Sequence, residues 1–164
     1  MMKKILIRIP LVLALLTAGL TIVTPARADV PSMTAEQAVA AATDNFYAAL
    51  NTMFTGDGQA MKDAWSHADD ITYMGPGGNY LKGWDAIGAE WDLQTSRKLG
   101  GVVTPTDVHI IVGGDLALLN CIESGKNIVD GKEAIVNIRS STVFRNENGV
   151  WKAISHQTDM LSFL

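Results

Sequence analysis

The sequence predicts an α+β domain, a strongly bent antiparallel sheet with helices from the first half of the chain packed in its concavity. Three observations predict it. Between residues 116 and 160 three strand-like runs follow one another, LALLNCIES, EAIVNIRSSTVF and VWKAISHQTDM. Their links, NIVDGK and RNENG, carry the Asp-Gly and Asn-Gly pairs that accept positive φ and so favour tight hairpins. Ahead of them, apolar residues recur every three or four positions, which is the period of helices. Helices followed by an antiparallel meander indicate segregated α+β layers. A curved sheet with helices on its hollow side makes a pocket.

Residues 1–28 read as an export signal. Lys3, Lys4 and Arg8 form a basic start, an apolar run follows from Ile9 to Val23, and Ala26-Arg27-Ala28 supplies the small-x-small pattern of a signal peptidase site. That run is 15 residues long and contains Pro10, against the ~20 needed to cross a bilayer. The expected address is periplasmic or secreted, with membrane contact only through the signal. Residues 29–164 then form a single domain with one core.

Thr34 and Gln37 have the spacing of a capping box, and Val39, Ala42, Phe46, Ala49, Leu50 and Met53 line one face of the helix that follows. Thr55-Gly56-Asp57-Gly58 breaks it, and Asp57 caps a short second helix reaching Trp65. DDITYM reads as a short strand, and Gly75-Pro76-Gly77-Gly78 as a turn before NYLKG. A third helix spans 84–98, with Trp84, Ile87, Gly88 and Trp91 on one side and Asp85, Glu90 and Asp92 elsewhere. Gly100-Gly101 ends it. Val108, Ile110 and Val112 alternate with His109 and Ile111, which makes a strand before the Gly113-Gly114-Asp115 turn.

Losing Lys3, Lys4, Arg8 and Arg27 with the signal leaves 9 Lys+Arg against 17 Asp+Glu, a net charge of −8. Such a surface repels phosphate backbones, so nucleic acid is not an expected partner. Cys121 is the sole cysteine and sits in an apolar run, which excludes an internal disulfide and reads as a buried, inert thiol. His67, His109 and His156 lack any metal-ligand spacing, and the Gly-rich GPGG has no Lys-Ser/Thr after it. Neither a metal nor another cofactor is expected.

The stretches YMGPGGNYLKGWDAIGAEW, GGDLALLNC and RSSTVFRNENGVWKAISHQTD resemble the ketosteroid-isomerase-like and polyketide-cyclase-like (SnoaL-like) superfamily, also called nuclear-transport-factor-like, in an exported branch of it. The resemblance covers residues 34–159 and implies a cone, a bent sheet wrapped around helices with a pocket at its wide end. It implies isomerase, cyclase or lyase chemistry, ligand binding, or a non-catalytic dimerisation module. It also implies a His two residues before a Ser on the inward face of the last strand, and an Arg lining the cavity at Arg139. Plain alternation from Trp151 puts Ala153, Ser155, Gln157 and Asp159 on one face, with Lys152, Ile154, His156 and Thr158 on the other. Gln157 then takes the His place and Asp159 the Ser place, and His156 points outward unless a bulge shifts the register.

A proton shuttle on such a fold needs a carboxylate or imidazole held in apolar surroundings. The candidates are Asp69, Asp70, Glu123, His156 and Asp159. Asp69-Asp70 also reads as a solvated turn and Glu123 as a rim carboxylate, so Asp159 is taken as the catalytic residue. Tyr73, Trp91, Arg139 and Gln157 are taken as the ligand pocket, with Asn137 on Arg139's face. Trp65, Trp84 and Trp91 equally suit core packing. The expected partner is a small apolar or carbonyl-bearing molecule, bound by an exported pocket domain, with metal-free acid/base isomerase or lyase chemistry as the alternative. A homodimer is expected through the convex face, with Ile138, Phe144 and Ile154 as its surface.

Overall fold

The structure is a computed structural model and describes residues 33–159. The basic-apolar start, the cleavage site after Ala28 and Met160 at the end of the last strand-like run lie outside the described residues. Three helices precede and interrupt a six-stranded sheet: α1 (Ala35–Met53), α2 (Gln59–Ala64), β1 (Thr72–Met74), β2 (Tyr80–Lys82), α3 (Trp84–Arg97), β3 (Val102–Gly113), β4 (Leu116–Val129), β5 (Lys132–Glu147) and β6 (Val150–Asp159). The strands run in the order β2-β1-β6-β5-β4-β3. Every neighbouring pair is antiparallel except β1–β6, which is parallel, so the sheet is mixed and not purely antiparallel. That one pair arises because a helix and three long strands intervene, which lets β6 return alongside β1 in the same direction.

Local sequence accounts for most of these elements. Thr34 Oγ1 accepts from the Gln37 N–H, and Gln37 Oε1 accepts from the Thr34 N–H, closing the capping box of α1. Val39, Phe46, Tyr47 and Met53 form its buried face. Gly58 stands at the N-cap of α2, and Asp57 assists by accepting from the Gln59 N–H at 3.2 Å. The turns between the long strands fall at Asp130-Gly131 and Asn148-Gly149, all four residues at positive φ between 50° and 88°. That is the type I′ geometry, whose twist matches that of the strands it joins.

β3 starts six residues earlier than alternation alone predicts. Pro105 is tolerated because β3 is an edge strand, and a bulge between Thr106 and His109, with Asp107 at φ 49°, hides the period. β3 and β4 approach closely at Gly125. A Cβ on Gly125, whose φ is 153°, would stand 2.0 Å from the Val102 carbonyl oxygen. No side chain fits there, so glycine is required.

The helices fill the concave side. Phe46, Trp65, Trp91, Phe144 and Trp151 are the large rings of one core that also takes in Ile71, Ile87 and Leu119. Trp84 is only half-buried and stacks on the His67 ring at 3.7 Å. Phe144, expected on a convex dimer surface, is fully buried in this core, and Ile138 faces the hollow side. The reason is parity: residues 136, 138, 140, 142 and 144 of β5 all point inward.

Candidate functional site

All three helices and five of the six strands contribute side chains to the site, and β6 decides which of its own face inward. β6 carries a bulge: Phe144 pairs with Ala153 while Val143 pairs with Ser155, so Ile154 is an extra residue. One extra residue reverses the parity of everything after it. His156 and Thr158 therefore turn inward, opposite Thr142 and Ser140, and both are buried. Gln157 is exposed on the outer face, and Asp159 is there too, holding Arg139 in a bidentate ion pair at 2.9 and 2.8 Å. The expectation that Arg139, Gln157 and Asp159 converge on the cavity with Tyr73 and Trp91 is thus corrected. Tyr73 and Trp91 line it; the other three lie outside it. The inward His-x-hydroxyl pattern implied by the resemblance is met instead by His156 and Thr158.

The cavity between α1, α3 and the sheet has a volume of about 470 Å³. Its floor is formed by buried groups, among them Phe46, Tyr73, Trp91, Glu123 and His156, and its rim by Pro76, Gly77, Arg97 and Ile135, which are exposed. Leu50, Phe54, Leu99 and Val103 add apolar wall. A pocket of this size with a few convergent polar groups is the usual form of a small-molecule site.

The floor holds the chemistry. Glu123 is 5% exposed and His156 is 6% exposed, and His156 Nε2 lies 3.5 Å from Glu123 Oε1. The Tyr47 hydroxyl donates to the same carboxylate oxygen at 3.1 Å, and Cys121 Sγ lies 3.1 Å from the Tyr47 oxygen. No described residue donates to Glu123 Oε2. His156 Nδ1 lies 2.8 Å from Thr142 Oγ1. If the Thr142 hydroxyl donates there, the imidazole is neutral with its proton on Nε2, directed at Glu123. Burial pushes the His156 pKa down, against the opposing pull of Glu123, which agrees with that neutral form. Phe46 and Tyr73 flank the imidazole at ring separations of 5.3 and 6.0 Å.

Tyr73 supplies a donor. Gln94 Nε2 donates to its hydroxyl oxygen at 3.0 Å, leaving the phenolic proton for another acceptor. Burial pushes the Tyr73 pKa up to about 12, so that proton stays on at neutral pH. Burial likewise raises the Tyr47 phenol and the Cys121 thiol. Cys121 is inward, buried and protonated, an inert thiol as its apolar run suggests. Trp91 Nε1 and Thr158 Oγ1 are buried cavity-lining groups with no described hydrogen-bond partner.

Asp69 and Asp70 are exposed in a turn, and Asp70 pairs with Arg145 at 2.7 Å, which holds its carboxyl below the usual range. Among the described residues no three His, Cys, Asp or Glu side chains come together to hold a metal. Sequence reasoning missed Arg97 and Gln94 and set Glu90 apart, yet all three line the cavity. Their spacing, four and then three residues along α3, was the available sign that they share one helix face.

Residues 39–161 match the SnoaL-like domain family. The chain belongs to that family. No curated protein matches it. Among solved structures, a provisionally assigned dehydratase of the NTF2-like family from Streptomyces avermitilis is 25% identical over 77% of this chain and 96% of its own, with a TM-score of 0.68. A provisionally assigned calcium/calmodulin-dependent protein kinase type II association domain from Thiobacillus denitrificans is 23% identical, covering 75% and 94%, with a TM-score of 0.62. An NTF2-like protein with a cystatin-like fold from Novosphingobium aromaticivorans is 19% identical, covering 77% and 86%, with a TM-score of 0.58. This SnoaL-like chain therefore has an NTF2-like α+β fold of three helices and a six-stranded mixed sheet.

Proposed function

We propose that this SnoaL-like chain binds a small, mostly apolar, carbonyl-bearing molecule and moves a proton on it, as a lyase or isomerase does. One observation carries the reading: a carboxylate and an imidazole, each more than nine-tenths buried, meet on the floor of one cavity. In this reading Glu123 is the base, its free Oε2 taking a proton from the carbon beside the carbonyl. His156 and Tyr47 hold its charge through Oε1. The Tyr73 hydroxyl gives its unspent proton's hydrogen bond to the ligand oxygen as negative charge develops there. The dehydratase assignment of the Streptomyces avermitilis structure supports the lyase arm.

A binding role without turnover is the second reading. It is favoured by His156, both of whose ring nitrogens face groups of the protein itself, Thr142 and Glu123. Exchange of the α-protons of 2-tetralone and related cyclic ketones in D2O, followed by NMR, separates the two. The lyase or isomerase reading expects acceleration that falls by about 10²-fold or more in Glu123→Gln and His156→Asn while binding persists. Binding of these ketones without accelerated exchange assigns the cavity to a binder.

Export with cleavage after Ala28 belongs to the same proposal, supported by the three-part pattern of residues 1–28. So does pairing of two copies through the outer face of the sheet. Its support is the exposed apolar surface there, where Ile111 is 52% exposed and pairs across the strands with Leu118.

A further inference from the structure

We propose that Arg97 makes the cavity selective for an amphipathic carboxylate, held with its anionic end at the rim and its uncharged end at the floor. The inference rests on the reading of the cavity as a ligand site and adds the class of ligand. Arg97 closes the last turn of α3, is exposed, and lines the cavity; among the described residues its guanidinium takes part in no side-chain hydrogen bond or ion pair. The other lysines and arginines of the described chain do not line that space, and His156 on the floor is neutral in the arrangement described above.

The distribution of charge sets the orientation. Two carboxylates face the cavity. Glu90 accepts from Gln94 at 2.9 Å on α3, and Glu123 sits on the floor with Tyr47. A ligand carboxylate driven to the floor meets Glu123 across a space walled by Phe46 and Trp91, where like charges are poorly screened. At the rim it meets the Arg97 guanidinium, which offers a planar fork of donors matched to a carboxylate. Between the two ends, Leu50, Phe54, Leu99 and Val103 accept an apolar body. Arg97 also suits the negative end of the α3 dipole, a role that needs no ligand. That role predicts a small stability change and no change in ligand preference, so a matched ligand pair distinguishes the two.

The experiment uses 1-naphthaleneacetate and 1-naphthaleneacetamide, which share a ring system and differ in charge. Affinities are measured by calorimetry at low salt and neutral pH for the wild type, Arg97→Gln and Arg97→Lys. The wild type is expected to bind the acetate about tenfold more tightly than the amide, the scale of one hydrogen bond to a charged group. In Arg97→Gln the ratio falls to about one with the amide affinity unchanged, and Arg97→Lys keeps part of the preference. Added salt shrinks the wild-type ratio. Equal or better binding of the amide by the wild type, or an unchanged ratio in Arg97→Gln, overturns the inference and leaves the cavity as a ligand site. Failure of both compounds to bind the wild type overturns the inference together with the ligand reading of the cavity.

Discussion

His156 sits where the bulge, the cavity floor and the polar pair meet. It lies between Thr142 and Glu123, flanked by Phe46 and Tyr73, and Tyr47 shares its carboxylate partner; Glu123 is the one charged group among them. Its pKa in the folded chain is lowered by burial, so the unfolded chain takes up a proton near pH 6.5 that the folded chain refuses. Stability is therefore full above about pH 6.5 and falls as the pH drops below it. Urea denaturation between pH 5 and 7.5 is expected to show this slope, and His156→Gln to flatten it after allowing for its own packing cost. A slope that survives the substitution places the titrating group elsewhere. Glu123, His156 and Tyr73 could all be found in the sequence as candidates, because chemistry-bearing side chains beside apolar runs are visible there. Which of them turn inward was not, since that depends on one extra residue in β6.

At the scale of elements, the bulge at Ile154 decides the site and the glycine contact keeps β3 close to β4. The hairpins, the capping box and the three helices follow from local chemistry, and the sequence shows them within a few residues. The bulges at Thr106/His109 and at Ile154 are tertiary features: each spoils a period of two without leaving a turn residue such as Asn-Gly behind. The parallel β1–β6 pair was equally hidden, because β1 has only three residues and no local signal of its partner. Gly125 gives the test. With φ at 153° and the Val102 oxygen 2.0 Å from any Cβ, Gly125→Ala must push β3 away from β4. A loss of about 2–3 kcal/mol or more in chemical denaturation is expected. A loss below about 0.5 kcal/mol means that the strands separate freely and that their close approach is not required.

Over the whole molecule, one hollow serves both folding and binding. Phe46 of α1, Trp91 of α3 and Trp65 just after α2 cover much of the concave face, while the open end keeps a cavity with Glu123 and His156 on its floor. The outer face carries the Arg139–Asp159 pair and the Ile111–Leu118 patch. Arg139 and Asp159 are well exposed, so their ion pair adds little to stability and nothing to the cavity. Two-fold pairing over the outer face is the proposal for assembly, and Ile111→Lys is expected to convert a dimer to a monomer in light scattering. A wild-type monomer at high concentration contradicts it. The cone and its pocket could be read from the order of elements and from the resemblance, whereas the identity of the polar floor required the register.

His156, turned inward by the bulge and hydrogen-bonded with Thr142, lines the cavity beside Glu123, and in the proposed function a ligand bound there perturbs both. The most direct measurement is 15N NMR of the histidine ring nitrogens between pH 5 and 7.5, before and after saturation with 2-tetralone. A neutral imidazole protonated at Nε2 across that range is expected, assigned by its loss in His156→Gln, with resonances that shift on ligand binding while those of His67 and His109 do not. A His156 that titrates near 6.5 like a free imidazole and is unmoved by bound ligand contradicts it.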